Sequence, residues 1–148
     1  MAHWEGVLHV LKYLKGTIEG GICYKKGGSI EIWGFCDSSH LTCPDTGRSR
    51  GAYAFLKAGG TISWISKLLP NATLSSCESE YVALFVAGQE ASYLRHLQLE
   101  IKGAKAVPRP IRILMDSQPA IDILNNPRYH PRTKQILSRY HFVRQGVQ

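Results

Sequence analysis

Three acidic residues stand where chemistry could be done: Asp37, Glu80 and Asp116. Asp37 and Asp116 each close a run that reads as a β-strand, and Glu80 falls in the first turns of a long helix. Neighbouring strands lie about 5 Å apart, so acids at the ends of adjacent strands sit side by side. A helix crossing the sheet would bring Glu80 over the same rim. Unpaired carboxylates about 4 Å apart repel by roughly 1 to 4 kcal/mol per pair, so such a cluster makes sense chiefly when divalent cations neutralise it. Mg²⁺ takes hard oxygen ligands and keeps waters, and two such ions can assist phosphodiester cleavage. Each acid also has an ordinary use. Asp37 could form an Asx-type turn, Asp116 could cap the next helix, and Glu80 could be a surface acid at a helix N-terminus. Spacing alone does not choose between these uses.

The elements that must position the acids follow from periodicity. Trp4, Val7, Leu8, Leu11 and Leu14 recur at helical spacing and predict a helix over residues 3–15, ended by Gly16. Ile22 to Tyr24 is a short strand candidate between glycine pairs, and Ile30 to Cys36 alternates as a strand ending near Asp37. Ala52 to Leu56 and Thr61 to Ile65 are two more, with Gly59-Gly60 as their hairpin turn. Ser75 and Glu78 form an S-x-x-E capping box for a helix running to about Leu99. Ile111 to Met115 is a strand ending at Asp116. Short helices are expected from Pro119 to Leu124 and from near Thr133 to about Arg144. Hairpins followed by a strand reached through a long helix predict a mixed α/β sheet covered by helices.

The bulk properties narrow the class. The 148 residues, 44% hydrophobic and 20% charged, suit one globular domain. No run approaches the roughly 18 apolar residues of a membrane helix, and the N-terminus lacks the apolar core of a signal peptide, so an intracellular protein is expected. Cys23, Cys36, Cys43 and Cys77 show no zinc-ligand spacing. The net charge is +7, and no Asp or Glu follows Asp122, whereas Arg128, Arg132, Lys134, Arg139 and Arg144 do. A tail of one sign attracts a polyanion such as nucleic acid; a solvated basic face is the plainer alternative.

Several strings are more specific. Gly34-Phe35-Cys36-Asp37-Ser38-Ser39 resembles G-Y-x-D-A-D, and Ile62-Ser63-Trp64-Ile65-Ser66-Lys67 resembles I-S-W-x-S-K. The run Leu74 to Leu84 is similar to L-S-S-x-E-A-E-Y-x-A-L, and Asp116 to Ile121 to D-N-x-x-A-I. Asn126-Pro127, His130, Arg132-Thr133-Lys134 and Arg139 to Arg144 match a closing motif, and Tyr13 to Thr17 resembles a lead-in from a reverse transcriptase. In order and spacing these strings resemble the ribonuclease H domain of copia-type LTR retrotransposon Pol polyproteins.

That resemblance implies an RNase H-like fold with a five-stranded mixed sheet flanked by helices. It implies a connecting segment over residues 1–28, following the reverse transcriptase region, and an RNase H-like domain over 29–148. The implied activity is metal-dependent endonucleolytic hydrolysis of the RNA strand of RNA–DNA hybrids during reverse transcription. Asp37, Glu80 and Asp116 would be both catalytic and metal-binding, with two Mg²⁺ ions for which Mn²⁺ can substitute and no small-molecule cofactor. His130, Arg132, Lys134, Arg139, His141 and Arg144 would contact nucleic acid. The expected partners are the hybrid and a reverse transcriptase domain in cis, with no membrane; the expected setting is the cytoplasm, a virus-like particle or the nucleus. The chain departs from the pattern at Leu137, where the family carries an acid in K-H-I-[DE], and at Gln135, His40 and Gln145. Leu137 cannot ligate a metal, so an impaired enzyme, or a decayed module that only binds nucleic acid, is the alternative expectation.

Overall fold

A computed structural model describes residues 2–102 and 110–125. Helix α1 (Ala2–Gly16) is followed by β1 (Trp33–Ser39), β2 (Arg50–Lys57), β3 (Gly60–Leu68), α2 (Ser76–Lys102), β4 (Arg112–Leu114) and α3 (Gln118–Asn125). The strand order is β3-β2-β1-β4. The first two pairings are antiparallel, and β4 lies parallel to β1 after the long α2 connection, as a parallel neighbour requires.

The β2–β3 hairpin turns on Ala58 and Gly59, with φ of 53° and 88°. Two consecutive positive φ values match the twist of the flanking strands. The turn therefore sits one residue earlier than Gly59-Gly60, because Gly60 already pairs with Lys57. Gly34 in β1 is needed for packing. A Cβ there would lie 2.5 Å from the Phe55 ring, so only glycine lets that fully buried side chain cross the strand.

The expected capping box forms at the start of α2. Glu78 N–H donates to Ser75 Oγ at 3.1 Å, and the Glu78 carboxylate accepts from Leu74 N–H at 2.7 Å. One face of α2 then packs Tyr81, Leu84, Ala87 and Leu94 against Ile32, Cys36 and Phe55. This layer is the core, and it fixes the helix on the sheet.

Two expectations need correction. Residues 22–24 form no strand: Lys25 N–H donates to Ala58 O, and the chain then turns back, with Gly28 N–H bonding Lys25 O. Glycine pairs on both sides leave that segment too costly to order as a ladder. The sheet accordingly has four strands among the described residues, not five. The helix expected over 133–144 lies outside the described residues.

Candidate metal centre

Strand register brings the first two acids together. Phe35 of β1 is paired with Leu114 of β4, and Asp37 and Asp116 each lie two residues further on. Equal offsets from one rung of a parallel pair put them on the same face of adjacent chain segments. Asp37 does not end its strand as expected, because Ser38 and Ser39 continue the pairing with Gly51 and Arg50. Asp116 lies two residues past β4.

Glu80, in the second turn of α2, completes the group. Asp37, Glu80 and Asp116 each offer a carboxylate oxygen, and these atoms all lie within 4.8 Å of one another. The ordinary uses of these acids fall away. Ser117, not Asp116, caps α3, its hydroxyl accepting from Ala120 N–H and its carbonyl from Ile121 N–H. Asp37 sits within a paired strand rather than in a turn. Glu80 is not a surface acid, being only 9% exposed.

Among the described residues, the electrostatics of the cluster are those of a site short of positive charge. Ser38 N–H is shared between Asp37 Oδ1 at 2.8 Å and Glu80 Oε1 at 3.3 Å. Among the described residues, Glu80 Oε2 is buried with no hydrogen-bond partner. Such an orphaned acceptor loses its hydration without replacement, which costs about 1–3 kcal/mol or more for a charged group. Burial pushes the Glu80 carboxyl above its ordinary value; the Ser38 bonds act against this, and the charges of Asp37 and Asp116 add to the rise. The neighbouring Cys36 thiol is pushed up to about 12, first by burial and then by the negative charges of Glu80, Asp37 and Asp116. An all-oxygen donor set with one orphaned oxygen fits a hard divalent cation such as Mg²⁺ or Mn²⁺.

Two serines that the sequence did not single out hold the acids in place. Ser79 is fully buried; its hydroxyl accepts from Ser38 Oγ at 2.9 Å and donates to Ser76 O at 2.7 Å. With the Ser38 amide, this ties β1 to the first turns of α2. Serine beside an acid carries no distinguishing signal in the sequence. Alongside the cluster, an open groove of about 510 Å³ runs over Phe35, Ala52, Ala54 and Leu114 between Asp37 and Asp116. His130, Arg132, Lys134, Leu137, Arg139, His141 and Arg144 lie outside the described residues. No helix among the described residues is long and apolar enough to cross a membrane.

No protein-family model matches the chain. It is 38% identical over 146 residues, 98% of its length, to the retrovirus-related Pol polyprotein from transposon TNT 1-94 of Nicotiana tabacum. It is 32% identical over 146 residues to that from transposon RE2 of Arabidopsis thaliana. The chain spans about a tenth of the length of these polyproteins, 11% and 10%. Among solved structures it is similar to the N-terminal RNase H domain of a Mycobacterium tuberculosis protein, solved as a maltose-binding-protein fusion. The TM-score is 0.54 at 15% identity, covering 80% of this chain and 75% of that one. That likeness establishes an RNase H-like fold, and the polyprotein matches extend over nearly the whole chain. The chain belongs to the family of retrovirus-related Pol polyproteins of copia-type transposons, matching a segment of them with this fold.

Proposed function

We propose that the chain is a metal-dependent ribonuclease H that hydrolyses the RNA strand of RNA–DNA hybrids during retrotransposon reverse transcription. One observation carries the reading: three carboxylates from β1, α2 and the segment just past β4 lie within 4.8 Å of one another, and among the described residues one of their oxygens is buried without a partner. Asp37, Glu80 and Asp116 would hold two Mg²⁺ ions, with Mn²⁺ as a substitute. When bound, such ions polarise a phosphodiester, activate water and stabilise the leaving oxygen. The protein's own part is to keep the acids from moving apart. The Ser38 amide aims Asp37 and Glu80, and Ser79 locks Ser38 to the helix.

A hybrid has a wide, shallow minor groove, recognised through shape, 2′-hydroxyls and backbone. His130, Arg132, Lys134, Arg139, His141 and Arg144 are the proposed phosphate contacts. Residues 1–28 would connect to a reverse transcriptase domain in cis, and the work would take place in the cytoplasm, a virus-like particle or the nucleus.

Cleavage of labelled hybrid, duplex DNA and duplex RNA under Mg²⁺ or Mn²⁺ titration tests the reading. Metal-dependent cleavage confined to the hybrid is expected, with losses of at least about 100-fold in Asp37→Asn and Asp116→Asn, beyond the usual effect of removing a ligand's outer partner. Equal cleavage of all three substrates would count against it. A second reading, a decayed module that binds without cutting, is favoured by Leu137 standing where the family has an acid. Hybrid binding without cleavage, with activity restored in Leu137→Asp, would select it.

A further inference from the structure

His40 follows β1 by one residue and enters a compact polar triangle. Its Nδ1 lies 3.2 Å from the Ser49 hydroxyl and 3.2 Å from the Thr73 hydroxyl, and the two hydroxyls are 2.6 Å apart. Ser49 is fully buried and Thr73 nearly so. Leu41 N–H also donates to Ser49 Oγ at 3.0 Å, holding Leu41 in a left-handed conformation with φ 52° that a branched side chain adopts at a cost. The triangle joins three passages at one end of the fold. His40 is three residues past Asp37, Ser49 leads into β2 and bonds Leu69 through its carbonyl, and Thr73 precedes α2, which carries Glu80.

Proton counting shows which form of the ring closes this network. With Nδ1 bare, Ser49 donates to Thr73, Thr73 donates to Nδ1, and Leu41 N–H donates to Ser49, so every donor has an acceptor. With Nδ1 protonated there are three side-chain donors and only two hydroxyl oxygens, and one buried hydroxyl proton is left without an acceptor. The charged side chains on the segments meeting here are Asp37 on β1, Asp45 and Arg48 on the loop between His40 and Ser49, Arg50 at the start of β2, Lys67 on β3, and Glu78 and Glu80 on α2. Among the described residues, none of them is hydrogen-bonded to the ring.

We infer that His40 is a positioning residue for the acid cluster: as neutral imidazole it bolts the Asp37-bearing end of β1 to the entry of the Glu80-bearing helix, and on protonation the bolt opens. Given the reading of the three acids as cation ligands, on which this rests, cation affinity becomes sensitive to acid through a residue that touches no cation. Asn at position 40 offers an amide oxygen near the place of Nδ1 but does not titrate. Ala offers nothing.

The test compares wild type, His40→Asn and His40→Ala as full chains, by amide hydrogen exchange at Leu41 and Ser38 without metal and by Mn²⁺ binding, at about pH 7.5 and about pH 5.5. On acidification, wild type should lose about tenfold more protection at both amides, and about tenfold more Mn²⁺ affinity, than His40→Asn does, the effect of one buried hydrogen bond. His40→Ala should be weakened at both pH values. Superimposable profiles for wild type and His40→Asn overturn the inference, as does a response at Leu41 that does not reach Ser38. If the exchange profiles separate as expected while wild type binds no Mn²⁺, the cation reading fails and the coupling of His40 to the acid site stands.

Discussion

Replacing Glu80 by Gln should make the cation-free protein more stable and the cation-loaded protein less so. The cluster's carboxylate oxygens lie within 4.8 Å of one another. At that distance a pair of unit charges repels by about 0.9 kcal/mol in a water-like medium and by about 3.5 kcal/mol at an effective dielectric of 20. Glu80 takes part in two such pairs. Asp37 and Asp116 are exposed to solvent, so screening is strong and a relief of about 1–3 kcal/mol in total is the reasonable expectation. For a chain of this size, that is a rise of roughly 2–10 °C in Tm. The pH course follows from the sign of the shift. The folded Glu80 carboxyl holds its proton above its ordinary value of 4.5. Its contribution is therefore fully present below the unfolded value and is lost as pH rises through the raised one. The advantage of Glu80→Gln should be small near pH 4 and full at neutral pH. Thermal unfolding in chelator at the two pH values measures this. Mg²⁺ at about 100 times its dissociation constant should then stabilise wild type by about 2.7 kcal/mol and the variant by much less. A Gln variant less stable than wild type in chelator at neutral pH, with the same response to Mg²⁺, would refute the account of Glu80 as a strained ligand.

Ser79→Ala should weaken Mn²⁺ binding by about 10- to 100-fold, as removal of a partner behind a ligand does, with about 1–2 kcal/mol lost in denaturant unfolding. Phe55→Ala should cost about 3–5 kcal/mol by the same measurement, because the ring is fully buried against Gly34 and α2. Hybrid binding should fall with salt at a log–log slope of roughly −3 to −4 if four of the C-terminal cations touch phosphates; a flat salt dependence would remove them from the interface.

What the sequence made legible divides along a physical line. The capping box at Ser75 and Glu78 and the long helix behind it were readable because they depend on residues three or four apart. The β2–β3 hairpin was readable for the same reason, and its turn was misplaced by one residue because Ala58 adopts a positive φ that alanine does not advertise. The strand proposed at 22–24 failed because apolar residues alone do not make a ladder; a partner must run alongside, and Ala58 offers one hydrogen bond where several were needed. The site was legible as three acids expected at one rim of the sheet, but the register that brings them there was not. Its closure depends on the pairing of Phe35 with Leu114, a contact across 79 positions that no local pattern encodes.

The same register explains why the acids looked ordinary one at a time. Each stands at a place where an acid is commonplace: on or just past a strand, or in the first turns of a helix. Together they make an arrangement that works against the fold. Among the described residues, one carboxylate is buried, one of its oxygens is unsatisfied, and a single amide is shared between Asp37 and Glu80. A scaffold selected only for stability would relieve this with one amide or hydroxyl substitution. Instead, neighbouring residues are spent on holding the conflict in place, with Ser38 and Ser79 tying β1 to α2 and the buried Ser49–Thr73 contact, joined by a half-buried His40, beside them. Local conflict maintained by well-satisfied surroundings is what a site built for a ligand looks like. On the reading proposed above, the ligand that resolves it is small, positive and oxygen-seeking.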